Sequence, residues 1–207
     1  PVLGERGGSD DGVRVHLRAL SLRDVRLSIS NAASGALTTL GVESFDLAAP
    51  DGDAPIEWAA RGQLGGAPFD LAGRTGSLAA LLHGSVPWPV AASGRVNEAE
   101  FSLEGRIARP RELAGLDVDA KLHLPDLARL YAQEYPRLPR LGAAHVQGHL
   151  SDPDGALGVD GLVLETEDPS RLRLTVRGRI ARLAELAGLE LDADLEADQL
   201  RFLEPLL

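Results

Sequence analysis

The chain has no cysteine and no methionine, and aromatic residues make up only 4% of its 207 positions. Without cysteine there is no disulfide framework, no thiolate metal site and no cysteine nucleophile. The redox compartment is left open by this, although an envelope protein that avoids stray thiols has such a composition. Lysine is nearly missing as well: of 21 basic residues only Lys121 is a lysine. With a net charge of -10 and the arginines dispersed, the chain lacks the clustered cations that a phosphate backbone requires, so a nucleic-acid surface is excluded. No run of 18 apolar residues exists to span a membrane, and the first residues lack an apolar signal core. A chain that begins at Pro1 and has no Met reads as a mature or excised piece, with any membrane anchor expected outside it.

What is present is a repeat. Phe101 to Leu130 reads FSLEGRIARPRELAGLDVDAKLHLPDLARL, and 73 residues later Leu174 to Leu203 reads LTVRGRIARLAELAGLELDADLEADQLRFL, with 15 of 30 positions identical without a gap. A period this long means several elements per unit. After the glycine each copy alternates strictly, the period of a strand with one buried face. Leu116, Val118, Ala120, Leu122 and Leu124 share one side, against Asp117, Asp119, Lys121 and His123; in the second copy Leu189, Leu191, Ala193 and Leu195 oppose Glu190, Asp192, Asp194 and Glu196. Nine such residues extend about 30 Å, long for a globular strand.

Taken in order, residues 1–12 are glycine- and acid-rich without a period and form a flexible lead-in; 13–207 read as a single repeat-containing β domain. Two strands are expected in VRVHLRALSLRDVRLSIS, with a bulge or turn around Ser21 to Asp24. DGDAP at Asp51 to Pro55 is a turn whose acids cap backbone amides; it lacks the remainder of a calcium loop. Ile56 to Leu64 and Phe69 to Leu71 pair across Gly65-Gly66 as a hairpin, after which Ser77 caps a short helix carrying Leu78, Leu81 and Leu82. Pro87 and Pro89 around Trp88 predict an edge or crossing segment. Pro125 opens a helix after the first repeat hairpin, and DQLRFLEPLL repeats it after the second. The total is about a dozen antiparallel strands with about three short helices.

No residue takes a catalytic role. His145 and His149 alternate with apolar neighbours, so they lie on one strand about 13 Å apart; two ligands of one zinc ion each sit about 2 Å from it. They cannot chelate alone, and no metal ligand or cofactor is expected. The carboxylates Asp117, Asp119, Glu190, Asp192, Asp194 and Glu196 follow the strand register as a solvated face does. There is no G-x-S-x-G elbow, P-loop or G-x-G-x-x-G. Arg106 and Arg109, in GRIARP and again in GRIARL, are expected to form salt bridges at a strand end.

The succession of weak motifs resembles a known family. L-x-L-R-D-V-R-L from Leu20, P-I-E-W-A-A-R-G-Q-L-x-G-x-P-F-D-L-A-G from Pro55, S-L-A-A-L-L, P-W-P-V, and E-G-R-I-A-R-P-x-x-L-A-G-L-D-V-D-A from Glu104 together resemble the AsmA-like proteins of Gram-negative envelopes, from about Val13 onward. The resemblance implies a periplasmic segment of a longer protein, tethered to the inner membrane by an N-terminal helix that this piece lacks. It implies kinship with bridge-like lipid-transfer proteins, whose curved antiparallel sheets form an apolar groove. No catalytic residues carry over.

Three readings compete: a lipid-handling groove, a closed β scaffold with a structural or protein-interaction role in outer-membrane assembly, and an enzyme. The resemblance tips the balance to the first. The expectation is a mainly β fold, a long curved antiparallel meander with a few short helices after hairpins. Leu116, Val118, Leu122, Leu189, Leu191 and Leu195 then face phospholipid or another acyl-chain lipid, and other envelope proteins are possible partners.

Overall fold

The protein is described from a computed structural model, which covers residues 18–30, 37–83, 86–127, 142–153, 155–167 and 172–197. Alternating apolar and polar residues with few helix-length apolar periods produce strands almost throughout. They are β1 (Ala19–Ser30), β2 (Leu37–Ala48), β3 (Pro55–Leu64), β4 (Ala67–Ser77), β5 (Trp88–Val96), β6 (Ala99–Arg109), β7 (Ala114–Leu124), β8 (Ala143–Ser151), β9 (Gly158–Glu167), β10 (Leu172–Arg182) and β11 (Ala187–Ala197). One helix, α1 (Leu78–His83), follows β4, and the Ser77 hydroxyl accepts the Ala80 N–H at 3.1 Å as its cap. The fold is thus mainly β. All eleven strands lie in one open sheet in sequence order, each antiparallel to its neighbours.

Both copies of the repeat fold into the same hairpin. Gly105 faces Val118 and Ile107 faces Leu116 across β6 and β7; Gly178 faces Leu191 and Ile180 faces Leu189 across β10 and β11. Their connections match too. Leu113 and Gly115 have φ of 51° and 73°, and Leu186 and Gly188 have 48° and 66°. Between β3 and β4, Gly65 and Gly66 stand at φ 58° and 87°, the left-handed pair of a two-residue hairpin whose twist suits the flanking strands.

Two sequence expectations are corrected. Trp88 to Val96 is a central strand, paired with β4 on one side and β6 on the other. Pro89 is tolerated because the β4 ladder begins only at Val90 opposite Thr75, so the missing N–H falls at the strand's start. The segment from Ala19 to Ser30 is one strand rather than the end of one and the start of another; the irregularity expected around Ser21 to Asp24 is found at Asp24, whose φ is 53°, and Val13 to Leu17 lie outside the described residues. Of the three expected helices the described residues hold the first, α1. The helices predicted after each repeat hairpin fall beyond residues 127 and 197, and the lead-in 1–12 also lies outside the described residues.

The core is small for so long a sheet. Among the described residues Ala49, Ile56, Val118, Leu124, Leu127, Ala144 and Val159 are the buried apolar side chains, and no large one is fully buried. Leu124, Leu127 and Ala144 form one cluster, with Ala99 and Leu122 packed against it, and the Leu127 N–H donates to the Gly142 carbonyl at 2.7 Å to hold the chain there.

Candidate functional site

Register turns the separate alternations into one surface. Leu22, Phe45, Ala60, Leu71, Gly94, Phe101, Leu122, Val146, Leu164, Val176 and Ala193 are successive cross-strand partners, one from each strand, and all are apolar or glycine. At about 4.8 Å per strand this row is about 48 Å wide. A bulge in β9, where Gly161 adopts φ 58° and the pairing shifts, returns Val159 to the same face opposite Leu150 and Ile180. Without it every side chain beyond would be turned over.

All six residues predicted to meet lipid lie on this apolar face. Leu116, Val118 and Leu122 pair with Ile107, Gly105 and Phe101; Leu189, Leu191 and Leu195 pair with Ile180, Gly178 and Leu174. Their environments differ. Leu189, Leu191 and Leu195 are 50%, 45% and 49% exposed, whereas Val118 is 3% exposed and Leu122 leans on the core cluster. Leu20, Leu22 and Leu27 at the opposite edge of the sheet are also open.

The other face is a lattice of exposed ion pairs. Arg61 meets Asp70 at 2.9 Å, Arg95 meets Glu100 at 2.7 Å and Arg106 meets Asp117 at 2.6 Å. Arg109 pairs with Glu112 at 3.2 Å, and in the second copy Arg179 and Arg182 pair with Glu190 and Glu185 at 2.6 and 2.8 Å. The Arg179 hydrogen bond, and then its charge, hold the Glu190 carboxyl below the usual carboxylate range, and Glu190 raises Arg179 in return. Arg23 and Ser21 do the same for Asp46. In the DGDAP turn, Asp51 Oδ1 accepts the Asp53 and Ala54 amides at 3.0 and 2.6 Å, a cap as expected.

The histidines do what spacing along one strand could not reveal. His149 lies beside Asp119, with Nδ1 3.0 Å from Oδ1, and its Nε2 is 3.3 Å from Asp117. His145 stands opposite His123 on β7, ring centroids 4.5 Å apart. The β7 to β8 register follows an eighteen-residue connection, 125–142, to which no short-turn rule applies. Alternation alone does place both rings on the polar face. As the side chains stand, no group of three or more His, Asp or Glu among the described residues could hold a metal ion.

No protein-family model, curated protein or solved structure matches this chain. Its functional reading therefore rests on the sheet itself and on the motif resemblance.

Proposed function

We propose that the apolar face of the sheet is a lipid-handling surface, holding or conducting phospholipid or another acyl-chain lipid between membranes in the periplasm of a Gram-negative cell. The observation that carries this reading is the unbroken apolar row across eleven strands, with leucines open to solvent and no second layer of strands over it among the described residues. Large contiguous apolar patches on soluble proteins mark binding surfaces. The row is about 48 Å wide, while the hydrocarbon of one bilayer leaflet is only about 15 Å thick. Several acyl chains fit side by side, or one lipid can move along without meeting a polar step. The opposite face, covered with ion pairs, keeps such a sheet soluble in water.

The role proposed is non-catalytic. It belongs to a longer, inner-membrane-tethered protein of the AsmA-like kind and is open to envelope protein partners. A closed scaffold requires two apolar faces to cover each other, and the single open sheet of the described residues supports the open reading over it. Native mass spectrometry after gentle extraction tests the proposal. Phospholipid should be retained by the folded chain and lost in Leu191→Asp/Leu195→Asp, with the cooperative melt kept. A folded chain that retains no lipid and binds no apolar dye overturns it.

A further inference from the structure

We infer that His123 and His145 form a cross-strand binding site for a divalent transition-metal ion, with the chemistry that suits Ni²⁺, Cu²⁺ or Zn²⁺. The two are direct partners on β7 and β8, and the row continues with Glu100 beside His123 and Glu165 beside His145. His123 Nδ1 is buried and makes no hydrogen bond, an arrangement that buried polar atoms rarely keep. The rings border a depression of about 370 Å³, which Glu100, Lys121, Gln147 and Glu165 also line.

The ring spacing is what two ligands of one ion require. A metal sits about 2.0–2.1 Å from an imidazole nitrogen, hence about 3.2 Å from the ring centre. Two rings on the same ion are then about 4.5 Å apart for a right-angled pair and about 5.2 Å for a tetrahedral one. The observed 4.5 Å, between rings tilted by 31°, equals the right-angled spacing preferred by square-planar or octahedral ions, and the rings need only turn to bring one nitrogen of each onto the ion. Zinc requires the rings to part by about 0.7 Å.

Two imidazoles supply half of a four-coordinate shell, and water or a carboxylate completes it. Glu165 lies 3.8 Å from Arg177 and Glu100 is held by Arg95, so either must leave an arginine to join. Lys121, on the rim of the depression, sets a positive charge against the ion. Binding is therefore expected to be weaker than at a site whose ligands all come from the protein. The bound ion would clip β7 to β8 from the polar side, directly behind the Leu124 and Ala144 cluster on the apolar side. This inference stands whether or not the apolar face binds lipid.

Titration calorimetry of the untagged chain with NiCl₂, CuCl₂ and ZnCl₂ tests it, with thermal melts run in parallel. One equivalent should bind with Ni²⁺ or Cu²⁺ ahead of Zn²⁺ and raise the melting temperature. His123→Gln and His145→Gln should each weaken binding at least tenfold while keeping the metal-free melt, and His149→Gln should change nothing. Absence of binding overturns the site, as does binding that survives both His123→Gln and His145→Gln or that His149→Gln abolishes.

Discussion

Two hairpins with half their sequence in common occupy different places in this sheet. The β6–β7 and β10–β11 pairs share register, turn dihedrals and even the arginine pairs at the rim, Arg109 with Glu112 and Arg182 with Glu185. Yet Val118 is 3% exposed and its counterpart Leu191 is 45% exposed. On the far side of β7 lies β8, which sets Leu150 against Val118; beyond β11 there is no further strand among the described residues. A repeat of this kind cannot bury its own apolar face. What surrounds each copy decides its burial, as in other arrays in which units lean on their neighbours. One pattern thus stands in two settings: at Val118 the apolar face is packed as core, and at Leu191 it lies open.

The sharpest way to break that comparison is to place one carboxylate at each of the equivalent positions. Val118→Asp leaves a buried charge without a partner, which costs about 3–5 kcal/mol. Total stability is typically about 5–15 kcal/mol, so urea unfolding should show a large loss or no cooperative transition. Leu191→Asp keeps its carboxylate in water and should cost about 1 kcal/mol or less. Equal costs at the two sites would mean that β11 is covered in solution by something other than the described strands.

A smaller and opposite outcome is expected at the turns, where both hairpins are alike. Gly115 and Gly188 hold left-handed dihedrals, and a Cβ on either would come 2.7 Å from the Cβ of Ala108 or Ala181 within its own hairpin. Gly115→Ala and Gly188→Ala should each cost about 1–3 kcal/mol. Amide exchange measured separately in each hairpin should show equal loosening, because the strained contacts involve no outside strand. A clear inequality would show that β8 braces the turn of the first hairpin as well as its face.

This division between hairpin and neighbour also marks where the sequence was legible. Strict alternation in Leu116 to Leu124 and in Leu189 to Leu195 revealed both strands and their apolar sides, and Gly65-Gly66 revealed a turn, since these are local matters of period and dihedral. Which strand lies beyond each hairpin is not local. His145 meets His123, and Leu150 meets Val118, only because the chain returns after the 125–142 connection in one particular register. Pro89 misled because its meaning depends on where the β4 ladder begins, a property of another strand. Similarly, the apolar residues were visible one strand at a time, and the slip before Val25 pointed to the irregularity at Asp24, but the continuous row also depends on a bulge at Gly161 that spacing did not disclose.

The smallest expected effect concerns the rim ion pairs and their dependence on pH. In the first copy Asp117 binds Arg106 and also lies 3.3 Å from His149 on β8; in the second, Arg179 makes two hydrogen bonds to Glu190, at 2.9 and 2.6 Å, on the outermost described strand. Arg179 depresses the folded Glu190 carboxyl below its ordinary 4.5, so the folded state favours the charged form. The pair's contribution is therefore complete above pH 4.5 and lost as the pH falls through the lower, folded value. The matching rise of Arg179 acts only in strong alkali. Because the pair is fully exposed, salt screens it and its contribution is small. Glu190→Gln should thus be slightly less stable than the unaltered chain at pH 7 in low salt, and the two should converge both in high salt and below pH 4.5. Amide exchange in β10 and β11 reports the difference, since an edge hairpin opens without the rest of the sheet. If the gap persists in acid, a contact other than the ion pair joins these strands. If it spreads to β6 and β7, the edge is coupled to the centre and the two hairpins are not independent units.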